Sequence, residues 1–188
     1  MKGLSLNNRA KRCGSSCRRF LALVFSLLTF SMLTLLSGCG ESGNPDGLLV
    51  DGPNVSKLLL TDLEGASVRL DAYAGKTLVV NFWATWCAPC REEMPALQSL
   101  SEQLDPQHYA VLGVSVDSSV ARVKPFLQEQ GVDFKQFIDA KMEVAMSDLK
   151  IRAFPETLII SPEGQIIRRI LGARAWDDKN YYQSVLSR

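Results

Sequence analysis

The residues most clearly able to do chemistry are Cys87 and Cys90, which are separated by Ala88 and Pro89. Two thiols at this spacing can form a disulfide and exchange it with the disulfide of another molecule, or they can supply two soft ligands to a metal ion. A purely structural disulfide is disfavoured, because so short a loop removes little conformational entropy from the unfolded chain. The pair therefore predicts a redox site in which Cys87 attacks a substrate disulfide and Cys90 then attacks Cys87 to release the reduced substrate.

A metal centre at this pair would lack further ligands. Zinc needs about four ligands, and His108 is the only histidine in the chain. The other cysteines, Cys13, Cys17 and Cys39, all precede the predicted folded domain. We therefore expect no metal and no cofactor other than the redox-active disulfide itself.

The cysteine pair lies between an apolar strand and a helix. Residues Thr77 to Trp83 form a continuous apolar run, typical of a buried strand, and a helical pattern then continues to about Leu104. Cys87 would lie at the start of that helix, where unpaired backbone N–H groups favour a thiolate. Pro89 has no N–H group and stiffens the turn between the two sulfur atoms. This arrangement favours Cys87 as the attacking residue.

The remaining patterns predict an α/β domain with a mixed sheet that helices cover on both faces. Two pairs of apolar runs flank turn-like segments and indicate hairpins, while the other runs follow strand or helix periodicity. The predicted hairpin strands are Lys57 to Thr61, Ala66 to Leu70, Glu156 to Ser161 and Gln165 to Leu171; the other predicted strands are Tyr109 to Val116 and Phe134 to Ile138, and the other predicted helices are Ser119 to Gln130, Glu143 to Leu149 and Asp177 to Leu186.

The N-terminal segment, residues 1–38, is typical of a lipoprotein signal peptide. It contains six basic residues and no acid, continues with an apolar stretch from Phe20 to Leu36, and ends in Leu36-Ser37-Gly38-Cys39, which resembles a bacterial lipobox. We expect lipidation of Cys39 and a flexible tether over the rest of residues 39–56, followed by a domain at 57–188. The alternative is an uncleaved transmembrane anchor, for which 17 apolar residues are barely long enough.

Removal of the leader changes the charge of the protein. The whole chain has 21 Lys and Arg against 20 Asp and Glu. Six of the basic residues and none of the acids lie in residues 1–38, so the rest of the chain has 15 basic and 20 acidic residues and a net charge of −5. An acidic mature protein without a basic cluster is not expected to bind nucleic acid.

The segment 81–95, NFWATWCAPCREEMP, resembles the TlpA/ResA branch of the thioredoxin superfamily, and the likeness extends from about Lys57 to the C-terminus. The resemblance implies a thioredoxin fold with an N-terminal β-hairpin extension. The 64 residues between Cys90 and Pro155 exceed what a minimal thioredoxin uses. The resemblance therefore also implies a central α/β insert near Val120 to Ile138.

A catalytic carboxyl group is implied by the same resemblance. In this branch a glutamate three residues after the second cysteine lies near the active site, and the matching residue here is Glu93. The alternative for Glu93 is a solvated carboxylate on the surface of the helix. A minimal thioredoxin has a buried acid where this chain has Asn81, so the proton-accepting role of that acid does not carry over.

Substrate-binding residues follow partly from the resemblance and partly from residue type. Phe154 and Pro155 resemble the cis-proline loop, which in the family packs against the two cysteines and binds an extended substrate. Phe154 is bulkier than the residue that usually precedes this proline. Trp86 and Pro89 are also expected to contact the substrate, whereas Trp83 belongs to the core.

Together these features predict a thiol:disulfide oxidoreductase of the bacterial cell envelope, lipid-anchored on the extracytoplasmic side and acting as a monomeric disulfide reductase. Its expected substrates are disulfides of exported proteins, with apocytochrome c as one possibility. A reductant in an oxidising compartment must be recharged, which implies a membrane thiol electron donor of the cytochrome c biogenesis type.

Two other functions remain open at this point. A thiol peroxidase belongs to the same superfamily, but its pattern P-x-x-x-[TS]-x-x-C would require other residues than Val80 and Ala84. A non-enzymatic lipoprotein could instead bind or deliver Cu(I) through the two thiolates, although no additional Met or His ligand lies beside them in the sequence.

Overall fold

A computed structural model of the chain describes residues 52–187, so the predicted signal peptide, Cys39 and most of the predicted tether lie outside the described residues. A short 3₁₀-helix covers Leu70–Tyr73, and a π-helix covers Glu143–Asp148. The strands are β1 (Leu59–Asp62), β2 (Ser67–Arg69), β3 (Thr77–Trp83), β4 (Tyr109–Ser115), β5 (Gln136–Ile138), β6 (Glu156–Ile160) and β7 (Ile166–Leu171), and the α-helices are α1 (Ala88–Gln103), α2 (Val120–Gln130) and α3 (Lys179–Leu186).

The strands form one mixed sheet in the order β2-β1-β5-β4-β3-β6-β7. Strand β3 is central: it runs parallel to β4 and antiparallel to β6. The two hairpins, β1–β2 and β6–β7, occupy the opposite ends of the sheet. This topology confirms the predicted α/β thioredoxin fold with an N-terminal hairpin extension. It also places the cysteine pair just after a strand that is held on both sides, because β3 ends at Trp83, four residues before Cys87.

Helix α1 packs against the sheet through the apolar face that its sequence predicts. Met94, Leu97 and Leu100 recur at spacings of three residues, lie on one face of the helix, and are fully buried. Strand β3 is buried from Leu78 to Trp83, as expected for a strand with neighbours on both edges. Because both elements are anchored in the core, the turn between them has little freedom to move.

The predicted central insert is present as α2 and β5. Helix α2 begins after Ser119, whose side-chain oxygen accepts a hydrogen bond from the backbone N–H of Ala121. It ends at Gly131, which has a φ of 65° and so adopts the left-handed conformation that favours glycine. Strand β5 then runs parallel to β4 and antiparallel to β1. The insert therefore joins the hairpin extension to the central sheet.

The folded chain begins earlier than the sequence predicts. The backbone N–H of Ile166 donates to the carbonyl of Pro53, and that of Val55 donates to the carbonyl of Gly164. A side chain at Gly52 would place its Cβ atom 1.8 Å from the carbonyl oxygen of Ile166, so only glycine fits there. Residues 52–56, assigned to the tether above, therefore pack against the turn between β6 and β7.

No helix within residues 52–187 combines the length and the apolar character that crossing a membrane requires.

Candidate active site

Cys87 and Cys90 lie at the start of α1 and are joined in a disulfide. Cys87 is the N-cap residue of the helix, and its sulfur accepts a hydrogen bond from the backbone N–H of Cys90 at 3.3 Å. Cys87 retains 7% of its surface exposed, whereas Cys90 is fully buried. An incoming disulfide can therefore reach Cys87 first. This asymmetry fits the predicted roles of Cys87 as attacking residue and Cys90 as resolving residue.

The loop between β3 and α1 is held by a buried carboxylate that the sequence does not reveal. Asp117 accepts hydrogen bonds from the backbone N–H and the hydroxyl of Thr85, at 2.8 and 2.7 Å. The hydroxyl of Ser115 donates to the same carboxylate at 2.8 Å. These bonds connect the loop before Cys87 to the end of β4. They stabilise the position of the helix start, which in turn positions the disulfide.

Glu93 lies on the same helix as the cysteines, one turn after Cys90, and is 3% exposed. Its Oε1 accepts a hydrogen bond from Nδ2 of Asn81 at 2.7 Å. Its Oε2 accepts bonds from the backbone N–H of Arg174 and from Nε1 of Trp176, both at 3.1 Å. The alternative of a solvated surface carboxylate is therefore wrong.

Burial raises the pKa of Glu93 to about 7, even though the hydrogen bonds from Asn81, Arg174 and Trp176 act in the opposite direction. Buried carboxylates are usually stabilised by a cation, but the side-chain and backbone donors that hold Glu93 are all neutral. The positive charge of Arg174 lowers the pKa only slightly. A carboxyl group with a pKa near 7 can both accept and donate a proton at neutral pH.

The partners of Glu93 come from distant parts of the chain. Asn81 lies in the middle of β3, while Trp176 and Arg174 lie in the segment between β7 and α3. Sequence reasoning identified Asn81 only as the replacement for an acid, and it missed the other two partners. A backbone N–H leaves no signal in a sequence, and a single tryptophan near a helix start is equally compatible with packing alone.

An aromatic pair lies beside the cysteines. Trp86 is 58% exposed, and its ring meets that of Phe154 edge to face at 5.9 Å between centroids. The Phe154–Pro155 peptide bond is cis, in agreement with the resemblance, and Pro155 is buried while Pro89 is exposed. The structure thus brings Trp86 and Phe154 into contact, with Pro89 exposed and Pro155 buried. Their contact with a substrate stays a prediction.

A second buried glutamate follows the cis-proline. Oε1 of Glu156 pairs with the guanidinium of Arg169 at 2.6 Å, and Oε2 accepts a hydrogen bond from the backbone N–H of Arg152 at 3.0 Å. Arg169 also donates to the carbonyl of Leu149. This ion pair joins β6 to β7 and to the segment before the cis-proline. It has a structural role, because both partners are already fully engaged.

The chain is similar to a known family and to individual proteins of known sequence. A family model described as AhpC/TSA family matches residues 52–169. The thiol-disulfide oxidoreductase ResA of Geobacillus thermodenitrificans is 32% identical over 135 residues, covering 71% of this chain and 77% of that protein. ResA of Bacillus cereus is 26% identical over 167 residues, covering 84% of this chain and 96% of that protein.

Solved structures give a consistent result. The thioredoxin domain of a thiol-disulfide oxidoreductase from Bacteroides vulgatus is 27% identical, with a TM-score of 0.62, and the match covers 73% of this chain and 99% of that one. A putative thiol:disulfide interchange protein DsbE from Chlorobium tepidum has a TM-score of 0.65 at 23% identity, with coverage of 73% and 96%. The second likeness is evidence of the fold alone.

Proposed function

Because the chain belongs to the AhpC/TSA family and is a thiol:disulfide oxidoreductase, we propose that it reduces disulfides of exported proteins while anchored to the extracytoplasmic side of a bacterial membrane. The anchor is the lipidated Cys39. Disulfides that form on the route to cytochrome c attachment are one substrate class for such an enzyme. A membrane thiol donor of the cytochrome c biogenesis type returns the Cys87–Cys90 pair to the dithiol state.

The observation that supports this cycle best is a buried carboxyl group one helical turn from the resolving cysteine. In the dithiol state, Cys87 attacks the substrate disulfide as a thiolate, forms a mixed disulfide and releases one substrate thiolate. Cys90 must then lose its proton before its sulfur can attack Cys87. Since Cys90 is fully buried, bulk water is poorly placed to take that proton.

Glu93 is the proposed proton acceptor. Its burial and its pKa of about 7 match the requirement that the same group accept a proton and later return it. When Cys90 attacks Cys87, two electrons have passed from the dithiol to the substrate, and the second substrate thiolate leaves. The proton held by Glu93 and one from solvent complete the two substrate thiols, so atoms and charges balance.

The first experiment measures the reduction potential of the Cys87–Cys90 pair in the purified protein. If the protein is a reductase, its reduction potential should lie in the thioredoxin range, at about −270 mV. A value near about −120 mV, typical of a strong disulfide donor, would overturn the proposed direction of electron flow.

Trapping the substrates tests whether Cys87 is the attacking cysteine and Cys90 the resolving one. Cys90→Ser should accumulate a mixed disulfide with exported proteins, because no second thiol is left to resolve it. Cys87→Ser is the matched control and should trap far less, since Cys90 is buried. Equal trapping by the two variants would contradict the assigned roles. Identifying the trapped proteins by mass spectrometry defines the substrate class.

The role of Glu93 is tested by following the release of a model substrate from the mixed disulfide. Glu93→Gln should slow this step about a hundredfold at neutral pH, the lower part of the range for general acid–base catalysis, with little effect on the first attack by Cys87. Glu92→Gln is the matched control, because Glu92 is the exposed neighbour on the same helix. Unchanged release in Glu93→Gln would exclude Glu93 as the proton acceptor.

The anchor is tested separately. Mass spectrometry of the N-terminal peptide of the unmodified chain should identify Cys39 as the first residue, with a lipid attached to it. An unmodified Cys39 in a chain that retains residues 1–38 would favour an uncleaved anchor instead.

Peroxidase chemistry is the weaker candidate. The peroxiredoxin pattern requires a proline and a hydroxyl-bearing residue at positions 80 and 84, which Val80 and Ala84 occupy. Both residues are buried, and neither side chain can donate a hydrogen bond to a peroxide. Reduction of peroxide by the purified protein at a rate that rivals disulfide reduction would reverse this ranking.

A further inference from the structure

The side chain of Asn81 has one polar atom without a partner. Its Nδ2 donates to Oε1 of Glu93 at 2.7 Å and to Oγ1 of Thr157 at 3.0 Å. Its Oδ1 is buried and has no hydrogen-bond partner among residues 52–187. Asn81 itself is fully buried, so bulk solvent does not reach the amide. An unpaired buried carbonyl oxygen is costly enough to need an explanation.

The partners of Glu93 are divided unevenly between its two oxygens. Among residues 52–187, Oε2 receives two hydrogen bonds, from Arg174 and Trp176, whereas Oε1 receives one, from Asn81. The backbone N–H of Arg174 and the indole N–H of Trp176 can only donate. Both therefore suit either an ionised oxygen or the carbonyl oxygen of a neutral acid. A proton on Glu93 is best accommodated on Oε1.

A proton on Oε1 conflicts with the present orientation of Asn81. Two hydrogens, one from the acid and one from Nδ2, would then both lie between Nδ2 and Oε1, which are only 2.7 Å apart. A half turn of the amide about its terminal bond exchanges Oδ1 and Nδ2 without moving the rest of the side chain. Oδ1 then accepts from the acid of Glu93 and from the hydroxyl of Thr157, which can donate as readily as it accepts.

We propose that Asn81 is a positioning residue whose carboxamide reverses its orientation when Glu93 gains or loses its proton, so that one side chain holds the carboxyl group in both states. The proposal rests on the proposed role of Glu93 as the proton acceptor of the cycle. Each orientation satisfies Glu93 and Thr157 and leaves one polar atom of the amide unpaired. The rest of the protein therefore favours neither orientation strongly. The amide presents Nδ2 to Glu93 when the carboxyl group is ionised and Oδ1 when it is protonated.

An amide can serve both states, because it contains both a donor and an acceptor. An aspartate at position 81 would lose its donor on ionisation and would place a second negative charge beside Glu93. Within residues 52–187, the groups that act on Glu93 include no second acid: β3 presents the neutral Asn81, and the segment after β7 contributes Trp176 and the cation Arg174. The reversal thus responds to Glu93 and, through it, to the thiol that it deprotonates.

The experiment uses the full chain in detergent with ¹⁵N-labelled asparagine and ¹³C-labelled glutamate carboxyl groups. NMR follows the two Nδ2 protons of Asn81 and the carboxyl carbon of Glu93 as the pH changes. We expect both Asn81 proton signals to lose their hydrogen-bonded shifts as Glu93 becomes protonated, with the same midpoint as the Glu93 carbon. The signals are assigned by their absence in Asn81→Asp and Glu93→Gln.

Three variants sharpen the test. Thr157→Val removes one hydrogen bond from each orientation, so the midpoint should stay where it is. Asn81→Asp should raise one carboxyl midpoint by about one pH unit or more, because two adjacent carboxyl groups share a proton. Glu93→Gln should make the Asn81 signals independent of pH.

Two results would overturn the proposal, and they are distinguishable. If the Glu93 carbon titrates while the Asn81 protons keep their hydrogen-bonded shifts, the amide does not reverse, although Glu93 keeps its proposed role. If the Glu93 carbon does not titrate at all, the proposed proton acceptor fails and the reversal fails with it. The direction of electron flow is decided separately by the reduction potential.

Discussion

The two buried glutamates of the described domain, Glu93 and Glu156, differ in the charge of their partners. Glu156 forms an ion pair with Arg169 at 2.6 Å, whereas Glu93 is held by the neutral donors of Asn81 and Trp176 and by a backbone N–H. Glu156 lies in β6 next to Thr157, and neighbouring residues of a strand point to opposite faces of the sheet. The two carboxyl groups thus occupy separate environments close to the same active site.

Burial alone therefore does not determine what a carboxyl group does. A cation within hydrogen-bond distance is an electrostatic partner for a buried carboxylate, which suits a structural link between strands. Neutral donors offset only part of the effect of burial on the pKa. The pKa of Glu93 is therefore raised to about 7, where the group can exchange its proton at neutral pH. Replacing Arg169 removes the cation from Glu156, and a change of pH titrates Glu93.

The largest effect is expected on removal of the cation from Glu156. Arg169→Met leaves this carboxylate buried and unpaired, and should lower the free energy of unfolding by about 3 to 5 kcal/mol at neutral pH. Denaturant titration measures this loss. The double variant Arg169→Met with Glu156→Gln is the control and should recover part of it, because the uncompensated charge is gone. A loss below about 1 kcal/mol in the single variant would contradict the structural role of the pair.

The next effect concerns the pH dependence of stability that Glu93 confers. Its pKa is about 7 in the folded protein against an ordinary value of 4.5, so between these values the folded protein binds more protons than the unfolded chain. The free energy of unfolding should therefore fall as the pH rises from about 4.5 to about 7, by about 3 kcal/mol in total. The stabilisation is complete below that window and absent above it.

Glu93→Gln removes the titrating group and should remove this decline. Denaturant unfolding of both proteins at several pH values measures the difference between their curves, which cancels the contribution of every other group. Glu92→Gln, on the exposed side of the same helix, should follow the unmodified protein. Parallel curves for Glu93→Gln and the unmodified protein would show that Glu93 titrates at its ordinary value.

The fold could be predicted from sequence because its signals are local. The apolar run that forms β3 was assigned with both of its ends, and the helical spacing of Met94, Leu97 and Leu100 identified the buried face of α1. The segment Glu143–Asp148 was expected to be helical, but its π-helical form was not predicted. There the side chain of Asp139 accepts hydrogen bonds from the N–H groups of Glu143 and Ala145, a contact without a sequence pattern.

The candidate site could be predicted only in part, because its groups meet across long stretches of chain. The cysteine pair and Glu93 lie on one helix, so spacing alone brings them together. Spacing could not decide whether Glu93 is solvated or buried, since that depends on Trp176 and on the backbone of Arg174. These partners lie more than 80 residues further along the chain, and only the register of β7 and the segment after it places them above α1.

The smallest effect should come from removing one neutral donor from Glu93. Trp176→Phe keeps an aromatic ring in the core but deletes the N–H group that donates to Oε2 at 3.1 Å. Loss of one hydrogen bond to the ionised form should raise the pKa of Glu93 further above 7, by up to about one unit. NMR titration of the labelled Glu93 carboxyl group measures the shift.

Trp83→Phe is the matched control for this substitution. Trp83 is equally buried and donates its indole N–H to Oε1 of Gln136, also at 3.1 Å, so both variants lose one buried hydrogen bond of the same kind. Both should lose stability, but only Trp176→Phe should move the Glu93 midpoint. Equal midpoints in the two variants would mean that the indole packs beside Glu93 without stabilising its charge, and that burial and the remaining donors alone set its pKa.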